Sequence, residues 1–267
     1  MVSNKDYEEV LSDFERDTFT TRGITRDVYR LGHGPAVLVI SEMPGITPDV
    51  AEFSRRVAAR NLRVVMPSLF GHDGAPATIK EVLSTFPKIC ISREFLLFAK
   101  DRASPVTSWL RDLAHVEHER NGGPGVGVIG MCLTGGFALA MMVDPVVVAP
   151  VLSQPGLPLG PGSKSELGMS ARDLAVVKDR CDAGACVLAY RFTGDKKSPG
   201  ERFARLRQEL GDHFIGVEID SSPSNPWGYP KNAHSVLTAE LGSQEGSPTQ
   251  LALAQVLDFF DEQLKVR

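Results

Sequence analysis

The feature that most constrains this chain is the segment from Val126 to Gly136. The run VGVIG suits a buried strand, Met131 and Cys132 follow, and Leu133-Thr134-Gly135-Gly136-FALAMM opens a helix at once. A strand that turns directly into a helix leaves no room for a loop, so the residues flanking the turn must be small. Gly130, two before Cys132, meets that need. The resulting Gly-x-Cys-x-Thr-Gly-Gly pattern sets a thiol at a helix N-terminus, where backbone N–H groups and the helix dipole favour a thiolate. It also aims the N–H of Leu133 at the place where an oxyanion would develop. The plainer reading, a buried structural cysteine, is the one adopted for Cys90, Cys181 and Cys186.

The pattern around this turn predicts a mostly parallel sheet with helices on both faces. Short apolar runs at 35–40, 62–66, 126–130, 146–153, 185–192 and 213–219 read as strands. Between them lie helical patterns, such as PDVAEFSRRVAARN with Val50, Phe53, Val57 and Ala58 on one face. Alternation of this kind is the signature of parallel strands joined by crossover helices. Further helices are expected at 133–143, near 170–183, at 199–210 and at 248–265. A length of 267 residues suits a single domain over 1–267. Residues 1–25 read as an N-terminal extension. The irregular stretch 71–105 reads as an inserted loop or cap, and the Gly/Pro-rich 154–170 as a second long connection.

Composition narrows the function classes. The net charge of −4 and the absence of a basic stripe exclude nucleic acid as the expected partner. The N-terminus is polar and acidic without an apolar h-region, and the most apolar stretch is broken by Asp144 and Pro145, so no membrane span is expected. Four scattered cysteines form no CxxC pair, which points away from a zinc site and toward a reducing, cytoplasmic home. With no P-loop and no Gly-x-Gly-x-x-Gly, no cofactor is expected.

A cysteine nucleophile needs a base, and the base an orienting acid. Where the nucleophile stands on a strand–turn–helix, acid and histidine follow it in chain order. Only His213 and His234 lie beyond Cys132. His213 opens a strand, whereas His234 lies in the loop NPWGYPKNAHSVLT before the last helix, where a base belongs. Asp195 ends the strand ACVLAYRF in the loop TGDKKSP, and carboxylates at such strand ends converge on the ligand crevice.

These residues give the chain a resemblance to the dienelactone hydrolase family, an α/β-hydrolase fold. SEMPGITPDVAEFSRRVAARNLRVVMPSLFG is similar to the family's E-x-x-G start, helix and P-x-L-F-G strand end; GMCLTGGFAL is similar to its G-x-C-x-G-G turn. GDKKSP resembles its D-x-x-x-P acid loop, and AHSVL its histidine loop. The resemblance implies Cys132 as nucleophile, His234 as base and Asp195 as its partner. It implies that Glu42 touches the resting thiol and helps deprotonate it, and that the N–H of Met43 joins Leu133 in an oxyanion hole. The expected substrate is a small ester or lactone, cleaved through a thioester. Three positions depart from the family: Met131 for a common tyrosine, Thr134 for a glycine, and Thr238 for an arginine that grips a substrate carboxylate. Arg93 and Arg102 are candidate anion anchors in its place. Trp227 and Tyr229 are candidate walls of an apolar pocket. A thioesterase or acyltransferase would use the same residues. A non-catalytic ligand-binding protein is the reading from another class.

Overall fold

The computed structural model describes residues 9–78, 80–85, 105–156 and 164–266. Eight strands form one sheet: β1 (Glu15–Thr21), β2 (Ile24–Leu31), β3 (Ala36–Ile40), β4 (Arg63–Pro67), β5 (Val126–Met131), β6 (Val147–Ser153), β7 (Val187–Phe192) and β8 (Phe214–Ile219). Their order is β1-β2-β4-β3-β5-β6-β7-β8. The pairs β1/β2 and β2/β4 are antiparallel, and every later pair is parallel. The helices are α1 (Pro48–Ala58), α2 (Pro105–Asn121), α3 (Gly135–Met141), α4 (Ala171–Asp182), α5 (Gly200–Leu210) and α6 (Pro248–Leu264). Every strand and helix expected from the sequence pattern is present within a few residues. The hairpin β1–β2 is additional, and it falls partly within the stretch read as an extension.

Alternation along each central strand divides the core in two. On β3, Ala36, Leu38 and Ile40 face one side, with Trp109 and Leu113 of α2, Phe137 of α3, Val177 of α4 and Phe203 of α5. Val37 and Val39 face the other, with Val50 and Phe53 of α1 and Val256 and Phe260 of α6. Both faces of β3 are fully buried, which explains why its sequence is apolar at every position. Each such side chain contributes about 1.5–3 kcal/mol on burial.

Helix starts are set by local chemistry. Thr47 caps α1 by accepting from the Val50 N–H at 3.3 Å, with Pro48 in the first turn. Ser170 caps α4 through the Asp173 N–H, and Ser247 caps α6 through the Gln250 N–H. In each case a hydroxyl satisfies an N–H that the helix cannot, and in α1 and α6 proline occupies a first-turn position where no N–H is needed. Among the described residues no helix is long and apolar enough to cross a membrane. Most of the 71–105 stretch, with Cys90, Arg93 and Arg102, lies outside the described residues.

Candidate active site

The parallel strands deliver their C-terminal ends to one rim, and every candidate residue described stands on a connection leaving that rim. Glu42 follows β3, Cys132 follows β5, Gln154 follows β6, Asp195 follows β7 and His234 lies in the connection after β8. A sheet of this kind opens its ligand crevice there.

Cys132 takes φ +56°, a left-handed conformation unusual for a residue with a Cβ. The strain is held by tight neighbours. A Cβ on Gly130 would overlap the Thr134 carbonyl oxygen, and one on Gly135 would come 2.8 Å from Pro155. Thr134, by contrast, has φ −78°, so the turn does not require glycine there. Its hydroxyl accepts from the Met131 N–H at 2.8 Å and sits 2.8 Å from the Ile40 carbonyl, tying the turn to the end of β3. The departure from a glycine pair therefore adds a strut and leaves the turn intact.

The histidine and the acid meet. Nδ1 of His234 lies 2.6 Å from Oδ2 of Asp195. The other Asp195 oxygen accepts the Lys197 N–H at 2.9 Å, and the carboxylate is almost fully buried. Nε2 of His234 is buried and has no hydrogen-bond partner among the described residues. Burial pushes the imidazole pKa down, but the neighbouring Cys132 and Asp195 outweigh it and raise the value to about 10. Cys132 beside the ring is one of the groups that raise it.

Glu42 is hydrogen-bonded to groups other than the thiol that the resemblance implies. Its Oε2 accepts from Gln154 Nε2 at 3.1 Å and from Ser235 Oγ at 2.7 Å, and its Oε1 accepts from Thr238 Oγ1. No hydrogen bond runs from the Cys132 thiol to this carboxylate among the described residues. Three donors already engage it, one of them Thr238 at the position of the missing arginine. Close by, burial and the charge of Glu42 raise the pKa of Glu240, against the opposing pull of His234.

The N–H groups of Met43 and Leu133 are used by no other acceptor among the described loop hydrogen bonds. Trp227 and Tyr229 pack beneath the histidine loop. Tyr229 packs against Phe192 with ring centroids 5.0 Å apart and shares a hydrogen bond with Thr249 at 3.0 Å. Trp227 is half-buried against the same core. Their aromatic surface is used in seating the histidine loop on the sheet.

Sequence reasoning missed Gln154, Ser235 and Arg202. Arg202 is buried on α5 and donates to the Pro155 carbonyl at 2.6 Å and the Glu166 carbonyl at 2.8 Å. Burial lowers its pKa to about 10, against the pull of Cys132, Asp195 and Glu166. Pro155 leads into Gly156, whose N–H donates to the Cys132 carbonyl at 2.8 Å. A Cβ at Gly156 would lie 3.6 Å from the Cys132 sulfur, so this glycine forms the wall beside the thiol. Among the described residues no group of His, Cys, Asp or Glu side chains is placed to hold a metal ion.

The sequence profile of the dienelactone hydrolase family matches residues 27–264. The chain belongs to the dienelactone hydrolase family. Membership supports hydrolysis as the reaction class. Solved structures carry the fold through distant relatives. A candidate dienelactone hydrolase of Klebsiella pneumoniae subsp. pneumoniae MGH 78578 superposes with a TM-score of 0.62 at 17% identity, covering 93% of this chain and 98% of that one. The 2,6-dihydroxy-pseudo-oxynicotine hydrolase gives 0.60 at 16% identity, covering 95% of this chain and 71% of the other. A cold-adapted esterase from an Arctic intertidal metagenomic library gives 0.55 at 11% identity, covering 94% and 93%. These identities establish the α/β-hydrolase fold and no more. No curated protein sequence matches the chain.

Proposed function

We propose that this protein hydrolyses a small carboxylic ester or lactone with Cys132 as nucleophile. The observation that carries the reading is the His234–Asp195 contact of 2.6 Å, with the imidazole pKa raised toward 10 by Cys132 and Asp195. The raised value keeps the imidazole protonated beside Cys132, ready to donate to the leaving group, and a cysteine attacks as its thiolate.

The reaction follows in two halves. The Cys132 sulfur adds to the ester carbonyl, and the oxyanion takes hydrogen bonds from the N–H groups of Leu133 and Met43. Each such donor contributes about 3–4 kcal/mol to the transition state. The carbon–oxygen bond then breaks, and His234 gives its proton to the leaving alcohol. For a lactone that alcohol stays tethered to the acyl group. Now neutral, His234 takes a proton from water, the hydroxide attacks the thioester, and sulfur leaves as thiolate while the carboxylic acid departs. Asp195 holds the ring and balances its charge in both halves.

The test is turnover of p-nitrophenyl acetate by Cys132→Ala and Cys186→Ala. Activity should vanish in the first and persist in the second. Equal rates in the two would end the assignment.

A further inference from the structure

Gln154 stands where three strand ends and the histidine loop meet. It is fully buried, although it is polar and follows β6 into the rim. Its backbone takes φ +36°, a left-handed value rare for glutamine, with its N–H donating to the Tyr190 carbonyl at 2.7 Å. Strain of this kind persists only where the surroundings over-determine it. The surroundings here are polar. Gln154 Nε2 donates to Glu42 Oε2 at 3.1 Å, and Gln154 Oε1 accepts from the Val236 N–H at 3.2 Å and from the Ser153 hydroxyl. Val236 is two residues beyond His234, and Ser235 between them donates to the same Glu42 oxygen. The amide therefore joins the carboxylate after β3 to the backbone that carries the imidazole.

We propose that Gln154 is a positioning residue that locks the His234 loop onto Glu42, so that this carboxylate works as a fixed anchor for the loop. The inference rests on the reading of Cys132 and His234 as the reacting pair and concerns how that pair is held. Orientation of the two hydrogen bonds is what matters. The carboxylate can only accept, the amide donates on one side and accepts on the other, and no apolar or acidic side chain reproduces that sequence. A fully satisfied buried network fixes one geometry, whereas a half-satisfied one loses it.

The polarity of the pair supplies the test. Gln154→Glu sets two carboxylates face to face, which disfavours ionisation of both. Its kcat for p-nitrophenyl acetate should fall about 100-fold at pH 8, the scale of an ångström displacement of a catalytic group. Relative to wild type, the loss should shrink as pH falls, because one carboxyl then carries a proton it can donate. Adding Glu42→Gln in the same chain inverts the pair: the amide now at 42 donates to the carboxylate at 154, and that carboxylate still accepts from Val236. Activity of the double variant should return to within about tenfold of wild type, as coupled partners do in a mutant cycle. The double variant restores the hydrogen bonds from 42 to 154 and from Val236 to 154, with the Ser235 hydroxyl turning to accept from the amide at 42, so it decides the matter even if Gln154→Glu alone does not fold. A folded double variant, with wild-type melting, that stays about 100-fold down would overturn the proposal, because it would mean a carboxylate is needed at 42 for chemistry. A wild-type rate and pH profile in Gln154→Glu would overturn it equally. The rate of Cys132 alkylation by iodoacetamide across pH reads the placement of His234 without any substrate. It should shift in Gln154→Glu and return in the double variant, and an unshifted profile counts against the strut. Failure of wild type to hydrolyse any ester would strike the reaction assignment and leave this readout standing.

Discussion

At the scale of single residues, the site is governed by which groups can keep a charge when buried. His234 is the clearest case. Burial opposes its positive form, yet Cys132 and Asp195 lift its pKa to about 10. A histidine in an unfolded chain titrates near about 6.5. Below the unfolded value both states hold the proton and the contribution of the site to stability is complete. Between there and about 10 only the folded state holds it, so the contribution shrinks as pH rises and is gone above the folded value. Cys132→Ser replaces the sulfur beside the ring, and the His234 pKa should fall from its raised position, which imidazole NMR titration reads directly. An unchanged titration would mean that Asp195 alone sets the ring. Gly156 offers a second residue-scale test. A methyl there would lie 3.2 Å from the Lys197 carbonyl oxygen and 3.6 Å from the Cys132 sulfur. Gly156→Ala should therefore fold, with slower alkylation of Cys132 and a larger penalty for bulky acyl groups than for acetyl. A uniform effect on all acyl groups would argue that the wall lies elsewhere. Cys132, His234 and Asp195 were legible from sequence because each announces itself locally: a strand abutting a helix, a loop before the last helix, a strand-end carboxylate. Gln154 and Arg202 were not. A left-handed glutamine carries no compositional mark, and Arg202 sits in GERFARLRQEL, where arginines read as a solvated face.

At the scale of elements, the joint between β3 and β5 sets Cys132 and the N–H groups proposed as oxyanion donors into register. Their pairing is short, from Val37 against Gly127 to Ile40 against Gly130, and both strands end at the rim. Beyond the ladder, the Thr134 hydroxyl continues the connection by bridging the Met131 N–H and the Ile40 carbonyl. Thr134→Val keeps the shape and deletes the hydroxyl, leaving a buried N–H and a buried carbonyl each short of a partner. The expected cost is about 1–3 kcal/mol in urea unfolding, and kcat should fall with it. Thr134→Ser should restore most of both. A valine variant with unchanged stability would show that water replaces the hydroxyl. The central elements were readable because strands buried on both faces must be apolar throughout, as AVLVI is. The hairpin β1–β2 escaped that logic. ERDTFTT is exposed along most of its length, and ITRDVYRL mixes charged and apolar residues, so neither run shows a buried strand's composition.

At the scale of the whole molecule, that hairpin must be fastened to a sheet whose other strands are held by apolar burial. Apolar contacts of Phe19, Val28 and Tyr29 supply part of the fastening, and ion pairs to α2 supply another part. Arg30 of β2 reaches Glu117 of α2 with Nε and Nη2 at 3.0 and 2.7 Å from one carboxylate oxygen, and both side chains are almost wholly buried. At the other end of the hairpin, Arg22 and the Thr21 hydroxyl both bind Asp112 of α2. The two contacts differ in worth. Arg22 and Asp112 are open to solvent, where an ion pair contributes about 0–1 kcal/mol. Removing Glu117 leaves the buried Arg30 guanidinium with only the Asp17 carboxylate, 3.4 Å away, as a counter-ion. Glu117→Ala should therefore cost about 3–5 kcal/mol, whereas Asp112→Ala should cost little by comparison. Replacing both buried partners with apolar residues of similar size, as in Arg30→Met with Glu117→Leu, should recover most of the loss, because desolvation of the pair offsets most of its attraction. Equilibrium unfolding of the single and paired variants measures this. If the apolar pair is as unstable as Glu117→Ala, the ion pair itself, and not the stranded charge, is what binds the hairpin to α2.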